Sequence, residues 1–479
     1  MSAGEQPPHV LIFPYPAQGH LLPLLDLTHQ LSLRNLIITI ITTPKNLSTL
    51  SPLLSAHPNI HTLILPLPPH PKLPPGVENV KELGNAGNLP IISALFKLYD
   101  RIIQWFRSHH NPPVALISDF FLGWTLRLAN HIQIPRFAFF SSGAFLTAVT
   151  AYCWDNLDAV KNLQVVEFPD LPGTPSLKEE HLPSTFRKYR ESDPDWELIK
   201  DGMMANLLSY GCIFNSLEAL EGDYLDHLKR KMGHGRVYGV GPLSLLGPEK
   251  SFRGDQSDVF DWLNGCPHGS VLYVCFGSQK SMNRQQMEAL ASGLEKSMAR
   301  FIWVVKAGTT HPVDSGYEVL PDGFEERVEG RGRVIRGWAP QVALLSHRAV
   351  GGFLSHCGWN SVLEGIVSGI LILAWPMEAD QFVNEKLLVD DLGVAVRVCV
   401  GADSVPDSDD LGRVIGESMN GVAHEEKKKK AGELKRKAVA AVEGGGRSLQ
   451  ELEELVNELW KLQGTKSAMV DVYGEQQTT

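Results

Sequence analysis

Short apolar runs alternate with helical segments along this chain, in two separate sets. In the first set His9 to Pro14 reads as a strand and His20 to Ser32 as a helix, with Leu21, Leu24, Leu25, Leu27 and Leu31 inward. Leu36 to Thr42 reads as a second strand, and Pro113 to Asp119 and Arg136 to Phe140 as two more, with a helical Leu122 to His131 between them. From Ser270 onward a second set follows: Val271 to Phe276, Phe301 to Val305, Arg333 to Ile335, Ala349 to Leu354, Ile370 to Ala374 and Val394 to Cys399. Parallel neighbours need a crossover long enough to hold a helix, so this alternation implies βαβ units. The expected fold is α/β: two Rossmann-like doubly wound domains facing across a cleft.

The expected division is residues 1–240, a linker at 241–255 within the Gly- and Pro-rich Gly239 to Asp255, residues 256–445, and a C-terminal helix at 446–479 packing back toward the first domain. Ser448 and Glu451 have the spacing of a capping box at the start of that helix, and the residues beyond Gly464 read as a frayed tail. Leu65 to Gly76, LPLPPHPKLPPG, cannot be helical and reads as a loop bordering a pocket. Lys427 to Lys430 reads as a solvated helix face.

The 479 residues are 43% hydrophobic and 20% charged, enough for two sizeable cores. A formal net charge of −10 argues against general affinity for nucleic acid or anionic membranes, so any bound anion must be met locally. Six scattered cysteines without a CxxC pattern suit a reducing compartment. With no basic leader and no stretch of membrane-span length, the expectation is a cytosolic monomer.

The stretch from Trp338 to Gln381, WAPQVALLSHRAVGGFLSHCGWNSVLEGIVSGILILAWPMEADQ, is the densest in chemistry. His356-Cys357-Gly358 falls at the turn between a strand and a helix whose first turn carries Asn360 and Ser361. Unpaired amides and the positive dipole end favour a phosphate there. Gly358 lets backbone approach closely, Trp338 offers a flat face for a base, and Glu364 could accept from two ribose hydroxyls. Asp380 and Gln381 follow another strand, at the rim where ligands of parallel sheets sit. Neither half has a Gly-x-Gly-x-x-Gly after its first strand, which weakens a nicotinamide reading.

These 44 residues closely resemble the signature box of plant family 1 UDP-dependent glycosyltransferases, and the resemblance extends from the opening HVLIFPYPAQGHLLPLLDL to the last helix. It implies a GT-B type fold, with Trp338 stacking on uracil, Glu364 holding the ribose, and Ser278, His356, Asn360 and Ser361 holding the diphosphate. Trp359, Asp380 and Gln381 would face the sugar, with Gln381 pointing to glucose, while Ala339, Gln341 and Gly358 complete the donor set. Leu371 departs from the family, which more often has proline there. Within the family the chain looks most like the branch acting on flavonoids and small phenolic acids.

His20 stands where the first strand gives way to the first helix, and Asp119 ends another strand of the same sheet. Spacing does not pair them; the resemblance does, with His20 as general base and Asp119 as its support. The implied reaction is a single inverting displacement that moves glucose from UDP-glucose to a phenolic hydroxyl. Other UDP-sugars (rhamnose, xylose, galactose), a C-glycoside, or a non-catalytic UDP-sugar binder are the alternatives. Phe121, Phe140, Phe145 and Trp154 either line an aromatic acceptor pocket or belong to the core. Asp193-Pro194-Asp195 and Asp407-Ser408-Asp409 match a cation-binding pattern, but the first lies in a polar segment and the second reads as a helix start. The expectation is no metal, and no cofactor besides the donor.

Overall fold

A computed structural model describes residues 6–247, 257–277, 281–306 and 319–475, with side chains to residue 465. Ser278 lies outside the described residues, as does most of the 241–255 segment. The chain divides into two compact units: residues 1–177, 185–249 and 440–479 form one, and residues 178–184 and 250–439 the other.

The first unit is built on seven parallel strands: β1 (His9–Phe13), β2 (Ile37–Thr42), β3 (Ile60–Ile64), β4 (Ala115–Asp119), β5 (Arg136–Phe140), β8 (Gly211–Phe214) and β9 (Val237–Gly239), with β6 (Val165–Glu167) and β7 (Ser176–Lys178) forming a separate ribbon. Their order is β3-β2-β1-β4-β5-β8-β9, so the winding reverses between β1 and β4. Every residue of β1, β4, β5 and β8 is buried, which is why these strands read as continuous apolar runs. Strand β3 is only partly buried, and β8 and β9 have four and three residues, so these three do not stand out in the sequence.

The second unit repeats the plan with β10 (Val271–Cys275), β11 (Arg300–Val305), β12 (Gly332–Arg336), β13 (Val350–Ser355), β14 (Leu371–Ala374) and β15 (Ala395–Arg397), in the order β12-β11-β10-β13-β14-β15 and all parallel. Here the reversal falls between β10 and β13. Leu371 opens β14, a first-strand position that tolerates proline as readily as leucine.

Several local expectations need correction. Leu243, placed in the linker by composition, is fully buried in the core of the first unit. The capping box does not form: the last helix starts at Arg447, Ser448 is buried within it, and Glu451 instead accepts the backbone N–H of Gly239 and pairs with Arg447 at 2.9 Å. Leu452, Leu455, Val456 and Leu459 of this helix join the same core as β1 and β2. Its backbone stays helical to Glu475, well past Gly464. Both Asp-x-Asp matches are helix caps: Asp193 accepts from the amide of Asp195, and Asp407 from those of Asp409 and Asp410. All six cysteines are free.

Candidate active site

In the first unit, the chain leaves β1 and enters the helix Gln18–Leu33, placing His20 in its first turn, where the amide of His20 bonds Ala17 O. No acidic residue sits in that turn. Asp119 is the last residue of β4, the strand on the other side of the reversal. The structure brings the two together: His20 Nδ1 lies 2.9 Å from Asp119 Oδ2. Asp119 is fully buried, and its Oδ1 accepts the amide of Phe121 at 2.8 Å, which fixes the carboxylate. The imidazole keeps 17% of its side chain exposed, and among the described residues its Nε2 makes no hydrogen bond.

Aromatic rings hold His20 on several sides. Phe120 stacks on it with centroids 5.3 Å apart, Phe121 lies at 4.6 Å, and Tyr15 meets it edge-on at 5.2 Å. Burial, with Asp119 adding to it, raises the Tyr15 hydroxyl well above its usual value, and that hydroxyl donates to Asn88 Oδ1 at 2.8 Å. Of the aromatic candidates, Phe121 therefore stands beside the imidazole. Phe140 is sandwiched between Phe120 and Phe214, and Phe145 stacks on Tyr224 with 1% of its surface exposed, so these two serve the interior. Trp154 packs likewise against Phe186 and Tyr189. A cavity of about 440 Å³ opens in the same unit, and its lining includes Leu89, Trp196, Arg187, Lys188, Arg190 and Asp193. Leu89 and Trp196 pack on the same apolar cluster as Phe121.

In the second unit the turn after β13 leads into the helix Trp359–Ser368, capped by Gly358, with no acidic residue in its first turn to compete with an anion. His356 sits in that turn. A side chain at Gly358 would put its Cβ 2.6 Å from His356 Nε2, and one at Gly277, after β10, 2.7 Å from the same atom. The imidazole thus fills space left by two glycines, one from each strand at the reversal; Gly277, also at a positive φ of 75°, went unnoticed in the sequence. Among the described residues the buried Nδ1 of His356 has no hydrogen-bond partner, and burial, helped by Lys306, pushes the group down to about 4. At neutral pH it is an uncharged ring. Cys357, between them, holds a left-handed φ of 63° and is tied by Ser355 Oγ to its amide.

Around this turn the remaining candidates are organised by two amides. Gln341 Nε2 donates to Glu364 Oε2 at 2.6 Å and to Ser361 Oγ at 3.2 Å, while its Oε1 accepts from Tyr273 of β10 at 3.2 Å. It therefore aims both side chains of the helix. Gln381 Oε1 accepts the amides of Met377 and Glu378, closing a loop in which Ala379 adopts φ 58°, and leaves its own Nε2 without a hydrogen bond among the described residues. Asn384, unremarked in the sequence, ties this loop to the His356 turn: its Nδ2 reaches Asp380 Oδ2 at 2.7 Å and Cys357 O at 2.9 Å. Trp338 is 64% exposed beside the half-buried Ala339, and Asn360 is half-buried, whereas Trp359 is packed inside with 3% exposed.

Two parallel sheets of this order, each reversing beside a strand-to-helix turn that carries polar side chains, define a GT-B glycosyltransferase. The family model of UDP-glucoronosyl and UDP-glucosyl transferases matches residues 255–428. UDP-glycosyltransferase 89A2 of Arabidopsis thaliana is 57% identical over 96% of this chain and 98% of its own length. The flavonol 3-O-glucosyltransferase UGT89B1 of the same plant is 48% identical over 95% and 96%. Among solved structures, Arabidopsis thaliana UGT89C1 with UDP-L-rhamnose aligns at a TM-score of 0.78 and 37% identity over 95% of this chain and 99% of its own, and that protein is also solved with quercetin. The chain belongs to the plant family 1 UDP-dependent glycosyltransferases and is a glycosyltransferase enzyme. Among the described residues no helix is long and apolar enough to cross a membrane.

Proposed function

We propose that this enzyme transfers glucose from UDP-glucose to a hydroxyl of a small phenolic acceptor (a flavonoid, stilbene or hydroxybenzoate) with inversion, and without a metal or further cofactor. The observation that carries the reading is the 2.9 Å contact of His20 Nδ1 with a buried Asp119, which leaves Nε2 as the atom able to take a proton. The acceptor O–H gives its proton to Nε2, and Asp119 stabilises the imidazolium. As the acceptor oxygen bonds to the anomeric carbon, the bond from that carbon to the β-phosphate oxygen breaks and UDP leaves with the electron pair. One displacement on an α-linked donor yields a β-glucoside. In this reading the diphosphate charge is met by the first-turn amides of Trp359–Ser368 and by a neutral His356, while Glu364 would hold the ribose and Trp338 the base.

Glucose is supported by Gln381, whose amide nitrogen stays available beside Asp380, and by the name of the 48% identical relative. A second reading, another UDP-sugar, is favoured by the UDP-L-rhamnose held by the 37% identical structure. The phenolic acceptor is supported by Phe121 against His20 and by the relative's quercetin complex, and the cations around the 440 Å³ cavity suit acceptors that carry an acid group.

The test is incubation with UDP-glucose and a mixture of flavonols, stilbenes and hydroxybenzoates, without added metal, read by mass spectrometry beside His20→Ala. Hexose adducts that disappear in the variant support the transferase and its base. Turnover unchanged in His20→Ala removes the base, and bound UDP-glucose without product favours a non-catalytic binder. Competing UDP-sugars in one reaction decide the donor, and acid-stable products would reveal C-glycosylation.

A further inference from the structure

Arg136, the first residue of β5, has 1% of its surface exposed, yet among the described residues no carboxylate is one of its hydrogen-bond partners. A buried cation is costly unless its donors are satisfied, and here neutral oxygens satisfy them. Nε donates to Ser118 Oγ at 2.8 Å and Thr125 Oγ1 at 2.9 Å, one terminal nitrogen to Ser209 Oγ at 2.7 Å, and the other to Asn206 Oδ1 at 3.0 Å and the carbonyl of Asp119 at 3.5 Å. Asn206 in turn donates to the carbonyl of Phe120 at 2.9 Å. The guanidinium therefore holds residues 118–120, the segment carrying the carboxylate that supports His20 and the ring stacked on it.

Packing satisfied by neutral groups would serve as well with a neutral side chain, so the charge itself calls for an explanation. Burial lowers the guanidinium to about 10, with Cys212 and Asp119 opposing the change, so it stays charged at neutral pH. Asp119 is the carboxylate that opposes that lowering, and it is wholly buried. Resting on the reading of His20 as base, we propose that Arg136 is a positioning residue for the His20–Asp119 pair, holding the end of β4 and compensating the buried Asp119 charge.

A positive charge at this place opposes proton uptake by the pair. The other titratable groups facing it are Tyr15, raised well above its usual value by burial and by Asp119, and Cys212, pushed up to about 12 by burial against the opposing effect of Arg136, so neither changes charge near neutrality. The experiment measures kcat and KM against pH for the full-length enzyme and for Arg136→Gln, Arg136→Lys, Asp119→Asn and the Arg136→Gln/Asp119→Asn double variant.

Arg136→Gln should move the acid limb of kcat/KM upward by about 1 pH unit. Arg136→Lys should keep that limb while kcat falls about tenfold with KM little changed, since a lysine keeps the charge but loses the fork. In the Asp119→Asn background, Arg136→Gln should cost far less than in the wild type, because the two act as one unit. An unmoved limb in Arg136→Gln, or losses that multiply independently with Asp119→Asn, would overturn the proposal. If Arg136→Gln does not fold, Arg136→Lys decides: wild-type kcat, or a displaced limb despite the retained charge, overturns it. His20→Ala in the same assay separates the two readings. Turnover retained there removes the base itself, whereas turnover lost there beside an unmoved limb in Arg136→Gln removes only the role of Arg136.

Discussion

The two units present a histidine at the same topological place, the reversal of a parallel sheet, and treat it in opposite ways. His20 is given a buried carboxylate on one nitrogen, and its other nitrogen makes no hydrogen bond among the described residues. His356 is given no partner for Nδ1 among the described residues, two glycines to fit between, and a nearby lysine, so it is driven down to about 4 and stays neutral. One architecture thus sets one imidazole against a buried carboxylate and the other between two glycines. The difference lies in what the neighbouring strand end contributes: Asp119 from β4 in one case, Gly277 after β10 in the other.

The sharpest way to break this comparison is to remove the partner that distinguishes His20. Asp119→Asn should reduce kcat/KM by roughly 10²- to 10⁴-fold, the range expected when a general base is lost, while the dissociation constant for UDP measured by calorimetry stays within about twofold. A loss confined to UDP binding would show that the pair serves the donor instead.

Next in size is Gly358→Ala. Its Cβ would fall 2.6 Å from His356 Nε2, so the ring must move, and overpacking of this kind costs about 1–3 kcal/mol. UDP affinity should fall about tenfold or more, with the pH dependence of the remaining turnover unchanged.

His356 also leaves a mark on stability. Its proton affinity is lowered in the folded state, so its contribution is full above about pH 6.5 and is lost as the pH falls toward about 4. The urea midpoint of His356→Gln should therefore decline less between pH 7 and pH 4.5 than that of the parent protein. An equal decline in both would contradict the buried, uncharged ring. The smallest expected effect is that of chelation: excess EDTA should leave turnover unchanged, since both Asp-x-Asp carboxylates at 193 and 407 already cap helices.

How far the sequence disclosed this depended on the kind of interaction. The helix Trp359–Ser368 and strand β5 have the bounds that periodicity assigns them, because their burial is continuous and their ends are marked by glycine or by a change of composition. Strand β3 escaped notice because it is only partly buried, and β8 and β9 because they have only four and three residues. Contacts between distant residues were the least legible. Nothing in the spacing of His20 and Asp119, 99 positions apart, pairs them, and a family resemblance had to. The capping-box reading of Ser448 and Glu451 failed for the same reason: a carboxylate 212 positions from Gly239 prefers an amide that only the fold supplies.

That last helix has a consequence for how the protein is made. Leu452, Leu455, Val456 and Leu459 complete a core whose other members include residues of β1, β2, β4, β5 and the first helix. Domains ordinarily mature in the order of synthesis, N-terminal first. Here the core of the first unit includes residues that follow the whole of the second unit in the chain, so that core cannot close until they are present. A chain lacking Leu452 to Leu459 would leave an apolar strip of the first unit uncovered.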